Sequence, residues 1–238
     1  MRKINGILFD YDGTLVDSAR KNMQVCIEVL KHFDPQIEEH LPSALTSYDK
    51  YQKANHETQN WKELYVKAYG VDPVYLEEAA GLWGPEQEKN ALMPEMFEGM
   101  TELIRDLKPI PLGICSQNNR VQIENTLEHY GIRDCFEGII GTLEVPIAKQ
   151  KPDAEGFLRC LEEMGAKEQD GIYVYIGDHS DDVTFAKNAA ACLGCEVICV
   201  SVDYLGLNIE NYKKWENRPD YYAENTKQLK QILDSLVK

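Results

Sequence analysis

The stretch Ile7-Leu8-Phe9-Asp10-Tyr11-Asp12-Gly13-Thr14-Leu15 decides how the rest of the chain is read. An apolar run ends in two carboxylates one residue apart, and glycine follows at once. The run reads as a buried strand, and strand tips are where open α/β sheets bind ligands. Side chains at i and i+2 leave a strand on the same side, so Asp10 and Asp12 repel one another unless a cation sits between them. A hard divalent ion, most simply Mg²⁺, meets that need. One carboxylate can then attack phosphorus while the other protonates the leaving oxygen and later takes a proton from water. Gly13 allows a turn that a bulky residue would resist. The plainer reading of Asp-x-Asp-Gly is a strand running into an Asp-rich turn.

Working outward, further short apolar runs at Ile110 to Cys115, Phe136 to Ile140, Ile172 to Ile176 and Val197 to Val202 join Ile4 to Phe9 as five expected strands. Amphipathic stretches at Met100 to Leu107, Val121 to Tyr130, Ala154 to Met164, Asp182 to Ala190 and Lys227 to Leu236 lie between or beside them. That alternation predicts an α/β fold with a parallel sheet. Residues 16–94 interrupt the pattern with helical stretches at Ala19 to Phe33, Leu45 to Ala54, Trp61 to Tyr69 and Pro73 to Ala80. The division is therefore a core of 1–15 and 95–238 with a helical insertion of 16–94. Pro85 and Pro94, with Gly81, Gly84 and Gly99, are expected to punctuate the return to the core. The insertion's Tyr48, Tyr51, Trp61, Tyr65, Tyr69, Tyr75 and Trp83 have the spacing of packing residues.

The 238 residues carry 40 acidic against 25 basic side chains, a formal charge of -15. Such a surface repels nucleic acid and anionic membranes, so neither is an expected partner. No run approaches the roughly 18 apolar residues of a membrane span. Met1 leads within a few residues into an apolar strand with no signal-peptide pattern, so the expectation is a soluble, cytoplasmic protein. Seven cysteines, an odd number, suggest free buried thiols in a reducing compartment. Cys192, Cys195 and Cys199 cluster, but no fourth ligand is near and Cys199 lies in a strand-like run, so they read as core residues.

Three other segments carry chemistry. Cys115-Ser116-Gln117-Asn118 places a hydroxyl and following backbone amides at a strand-to-helix turn, which suits a phosphoryl oxygen; Ser116 alone would read as a helix cap. Lys149-Gln150-Lys151-Pro152-Asp153 offers two loop lysines. Gly177-Asp178-His179-Ser180-Asp181-Asp182 puts acidic groups after the fourth apolar run, where simple N-capping of a helix beginning near Asp181 is the alternative. His179 reads as a loop residue, since magnesium prefers oxygen.

Together the four segments resemble, in order and over nearly the whole chain, the motifs of the haloacid dehalogenase-like superfamily. The match is to members similar to phosphoglycolate phosphatases, with a Rossmann-like parallel core and an inserted helical cap. The resemblance implies Asp10 as covalent nucleophile, Asp12 as acid/base, and Lys151, chosen over Lys149 because Pro152 follows it, as the charge-offsetting lysine. Ser116, Gln117 and Lys151 would bind phosphate. Mg²⁺ would be held by Asp10, by Asp12 through its backbone carbonyl, and by Asp178, while Asp182 orients a metal-bound water or Lys151. The implied activity is a magnesium-dependent phosphatase acting on a small phosphorylated metabolite through a phospho-aspartyl intermediate. Asp12 argues against dehalogenation. A phosphomutase of the β-phosphoglucomutase kind shares all four motifs, and a non-catalytic binding protein on the same fold is a further alternative. Substrate identity and oligomeric state stay open.

Overall fold

The computed structural model describes residues 3–58, 60–166, 171–207 and 212–237. The chain forms two compact units, one of residues 1–17 and 96–238 and one of residues 18–95.

The larger unit is built on six parallel strands: β1 (Ile4–Phe9), β4 (Leu112–Cys115), β5 (Gly138–Ile140), β6 (Ile172–Gly177), β7 (Glu196–Val202) and β8 (Tyr221–Ala223). Their order is β5-β4-β1-β6-β7-β8. Two short strands, β2 (Val16–Asp17) and β3 (Glu95–Met96), pair separately where the chain leaves and rejoins this unit. The strands are apolar on both faces because helices cover both. Alternate residues make the division: Ile7, Phe9, Ile114, Val174, Ile176 and Val200 share one buried cluster with residues of α5 (Met100–Leu107), α6 (Arg120–His129) and α9 (Thr226–Val237). Leu8, Cys115, Tyr173, Tyr175, Val197 and Cys199 share the other with α7 (Glu155–Glu163) and α8 (Ser180–Leu193). A one-residue slip in any strand would exchange these sets, so the register is strongly determined.

The expected strands are found, with β4 and β5 trimmed at their starts. The sixth, β8, is not among the strands that the apolar runs predict. Its three residues follow Pro219 and carry no periodic pattern; Asp220 docks it, giving its N–H to the Cys199 carbonyl at 2.9 Å and accepting the Cys199 N–H at 2.8 Å. The cysteine cluster also needs correction. Only Cys199 is in the core; Cys195 is half-buried and Cys192 exposed, because the latter two fall where α8 ends at the left-handed Gly194. All seven thiols are free.

The smaller unit is helical, with α1 (Ala19–Phe33), α2 (Tyr48–Glu57), α3 (Trp61–Glu63, continuing through a π-turn over Leu64–Ala68) and α4 (Leu76–Lys89) around Val25, Val29, Leu45 and Leu64. Tyr51, Tyr65 and Tyr69 are buried in it. Tyr75 is largely exposed, its ring tilted against that of Phe33 with centroids 5.5 Å apart. The expected break at Gly81, Gly84 and Pro85 is absent, for α4 runs through all three. A proline inside a helix costs about 3 kcal/mol. Just past Pro85, the buried Glu86 ties α4 to His32 of α1 at 2.9 Å and also pairs within the helix with Lys89 at 2.7 Å.

Candidate active site

Because β4, β1 and β6 are adjacent and parallel, the residues that follow them leave the same edge of the sheet. Ser116 follows β4, Asp10 follows β1 and Asp178 follows β6. Asp10 remains tied to the sheet by its N–H, which donates to the Ile176 carbonyl at 2.8 Å. Tyr11 then turns into the core, where its hydroxyl donates to Thr126 Oγ1 at 2.8 Å. A tight turn closes behind it, with Gly13 N–H on the Val16 carbonyl at 2.9 Å. Gly13 has φ +74, and a Cβ there would collide with the Asp178 carboxylate. Glycine is therefore required both for the backbone and for the space that Asp178 fills. Gly177 leaves room in the same way for Asp182, whose carboxyl carbon would collide with a Cβ there.

Asp10, Asp178 and Asp182 each present an oxygen within 4.8 Å of the others. Lys151, from the loop before α7, reaches into this trio with Nζ 2.5 Å from Asp10 Oδ1 and 2.7 Å from Asp182 Oδ1. Its side chain is 7% exposed, and its ammonium lies 5.3 Å and 5.5 Å from the ring centres of Tyr175 and Phe185. Lys149, the competing lysine, is instead on the surface and pairs with Asp153 at 3.1 Å.

Asp12 stands apart from the trio. Its carboxylate accepts from Asn118 Nδ2 at 3.1 and 2.9 Å, one contact to each oxygen. Ser116 is buried, and its Oγ accepts the Asn118 N–H at 3.1 Å. It is not the cap of α6; Asn119 fills that position, accepting the Val121 N–H. Ser116, Gln117 and Lys151 line one cavity together with Gln150 and Phe185.

The start of α8 differs by a residue from the expected one. The helix begins at Ser180, and His179 is its N-cap, its Nδ1 accepting the Asp181 N–H at 3.4 Å. Asp182 reaches back to the His179 N–H at 3.0 Å, so one carboxylate both closes the helix start and grips Lys151. Two partners escaped the sequence reading. Asn118 was inside a motif but resembles any turn asparagine. Tyr175 was hidden in an apolar strand; its hydroxyl lies 3.1 Å from Asp182 Oδ1 and 3.3 Å from the Cys115 carbonyl.

The charges are out of balance. Burial pushes the Asp10 carboxyl up to about 7; Lys151 pulls it back, and Asp182 and Asp12 push it further. Desolvation, then Asp182 and Asp10, hold Asp178 well above the ordinary carboxylate range. Burial would lower the Lys151 ammonium, but Asp10 and Asp182 outweigh it and hold it protonated. Three clustered carboxylates thus share one ammonium, with Asp12 near enough to push Asp10 up further. An all-oxygen donor set that is short of positive charge fits a hard divalent cation such as Mg²⁺ and would not suit a soft metal.

The family model for haloacid dehalogenase-like hydrolases matches residues 7–199. The chain belongs to this family. As a haloacid dehalogenase-like hydrolase it is 26% identical over 244 residues to the phosphoglycolate phosphatase of Synechococcus elongatus, covering 99% of this chain and 100% of that one. It is 28% identical over 191 residues to pyrophosphatase PpaX of Listeria welshimeri, covering 79% and 80%. The haloacid dehalogenase-like family hydrolase of Streptococcus pneumoniae superposes with a TM-score of 0.70 at 16% identity, covering 97% of this chain and 98% of that one, a likeness of fold.

Proposed function

We propose that this hydrolase is a magnesium-dependent phosphatase of small phosphorylated metabolites, with Asp10 as nucleophile and Asp12 as acid and base. One observation carries the reading: two carboxylates from the same strand end have different partners. Asp10 sits with Asp178, Asp182 and Lys151, while the Asp12 carboxylate accepts from Asn118. Groups at one site whose surroundings differ are suited to different tasks.

An Asp10 oxygen forms a bond to phosphorus as the bond from phosphorus to the leaving oxygen breaks, and that oxygen takes the proton of Asp12. Water then attacks the same phosphorus and gives its proton to Asp12; the Asp10–phosphorus bond breaks and inorganic phosphate leaves. Lys151 keeps Asp10 oriented and adds positive charge beside the phosphoryl oxygens, with Ser116 Oγ and the Gln117 backbone offering hydrogen bonds. Asp10, Asp178 and the Asp12 carbonyl would hold Mg²⁺, with Asp182 beside them, and the ion supplies charge that offsets the crowded carboxylates and the phosphoryl group. The helical unit of residues 18–95 is read as the cap that selects the substrate. Relatives named phosphoglycolate phosphatase and pyrophosphatase support a small phosphorylated anion as substrate. Seven free thiols suit the cytoplasm.

The test is turnover of p-nitrophenyl phosphate with and without Mg²⁺, beside the Asp10→Asn variant, followed by a panel of phosphorylated metabolites. Magnesium-dependent turnover lost in Asp10→Asn is the expected result. Folded wild-type protein that turns over neither the generic substrate nor the panel would refute the phosphatase reading.

A further inference from the structure

Asn118 is 3% exposed, and its backbone and side chain are both committed. Its N–H donates to Ser116 Oγ at 3.1 Å and its carbonyl accepts the Thr142 N–H at 2.8 Å. Its side-chain Oδ1 accepts the Asn119 N–H at 2.7 Å. That last bond fixes which way the amide faces, because only the oxygen can accept; the nitrogen must therefore be the atom turned to Asp12. Close approach of the loop after β5 adds a wall: a Cβ on Gly141 would stand 2.7 Å from the Asn118 carbonyl. The Asp12 carboxylate, which enters a tight turn and is partly exposed, thus meets a donor held on several sides.

The chemistry of that donor matters. A carboxylate that protonates a leaving group and later accepts a proton from water must pass through both states in every cycle. A lysine beside it would hold it ionised. A neutral amide orients it with hydrogen bonds yet cannot itself give up a proton, and when one Asp12 oxygen carries hydrogen the other can still accept from Nδ2.

We propose that Asn118 is the positioning residue of the leaving-group acid, aiming Asp12 so that the enzyme can cleave unactivated alkyl phosphates, whose leaving alkoxide needs a proton as it departs. This rests on the phosphatase reading. It assigns Asn118 no contact with substrate, and it separates substrates by leaving group. Esters of good leaving groups, such as 2,4-dinitrophenyl phosphate, depart without a proton and gain little from a well-aimed acid.

The experiment compares kcat/KM for glycerol phosphate and for 2,4-dinitrophenyl phosphate, with Mg²⁺, in the wild type, Asn118→Ala, Asn118→Ser, Asp12→Asn and the Asp12→Asn/Asn118→Ala double variant. Both substrates are measured on one preparation, so a loss of folded enzyme cancels in their ratio. General acid catalysis is worth about a hundredfold or more. In Asn118→Ala the alkyl-to-dinitrophenyl ratio is expected to fall at least about tenfold toward that of Asp12→Asn. Asn118→Ser, which keeps a turn-forming oxygen but has no amide to reach Asp12, is expected to match it. In the double variant the ratio should equal that of Asp12→Asn alone, since Asn118 acts only through Asp12. Equal loss on both substrates would overturn the proposal and leave Asn118 a loop-holding residue. A further fall of the ratio in the Asp12→Asn background would also overturn it. A wild type that turns over neither ester would refute the phosphatase reading itself, and this inference with it.

Discussion

Replacing Lys151 by Met tests whether the acidic cluster is held together by one cation. Methionine keeps most of the buried stem and removes only the charge. In the wild type that charge lies 2.5 Å from Asp10 and 2.7 Å from Asp182, with all three side chains at most 10% exposed. Removing one partner of a buried ion pair costs about 3–5 kcal/mol, because the charge left behind is uncompensated. Loss of the contacts with the Tyr175 and Phe185 rings falls in the same direction. The abandoned carboxylates can respond by binding protons, and this makes the cost depend on pH. In the metal-free wild type burial pushes the Asp10 carboxyl up to about 7, above its ordinary 3.8. Its folded form therefore binds protons more tightly than the unfolded chain, so wild-type stability falls as pH rises from about 4 through 7. In Lys151→Met the Asp10 proton is kept to higher pH. Below pH 7 both proteins hold it, so the gap comes from Asp182 left without its ammonium and is flat, at about 3 kcal/mol. Above pH 7 only the variant holds it, and the gap should widen by about 1.4 kcal/mol per pH unit until the variant also ionises. Urea denaturation in the presence of EDTA, from pH 6 to 8.5, reads both quantities. A gap under about 1 kcal/mol, or one that opens below pH 7, would refute the electrostatic account of the site.

The same imbalance predicts that Mg²⁺ raises the melting temperature of the wild type more at pH 8 than at pH 5.5, because protons compete for Asp10 and Asp178 at the lower pH. Differential scanning fluorimetry checks it, and an effect of equal size at both values would count against these residues as the ligands. Thiol exposure predicts one cysteine, Cys192, reacting quickly with a disulfide reagent in the native protein, Cys195 reacting slowly, and the remaining five only on unfolding. Five fast thiols would mean the sheet is not packed as described.

Much of the fold was legible because the strands that matter are buried on both faces. Ile4 to Phe9, Ile172 to Ile176 and Val197 to Val202 can be read as strands from their apolar residues alone, and their alternation is later divided between two helical layers. What resisted reading depended on partners distant in sequence. Nothing around Tyr221 signals a strand until Asp220 meets the backbone of Cys199. Pro85 and its neighbouring glycines argue for a break, yet α4 continues to Glu86, which meets His32. In both cases a tertiary bond overrode a local preference, which composition and periodicity do not register.

The site divides along a similar line. Asp10, Ser116 and Asp178 could be found because each directly follows an apolar run, and a parallel sheet with β4, β1 and β6 side by side gathers such residues without further information. Lys151 needed more, since only the Lys-Pro pairing distinguished it from Lys149. The structure separates the two lysines by burial, placing one between Asp10 and Asp182 and the other on the surface with Asp153. Asn118 and Tyr175 were beyond reach for a different reason. Each acts by holding another side chain, Asn118 on Asp12 and Tyr175 on Asp182, and a residue type alone does not say what it holds. Sequence motifs thus report the groups that meet a substrate, whereas the groups that aim them become visible only when distances are known. This is why the leaving-group dependence of an Asn118 variant is informative: it measures an orientation that no motif encodes.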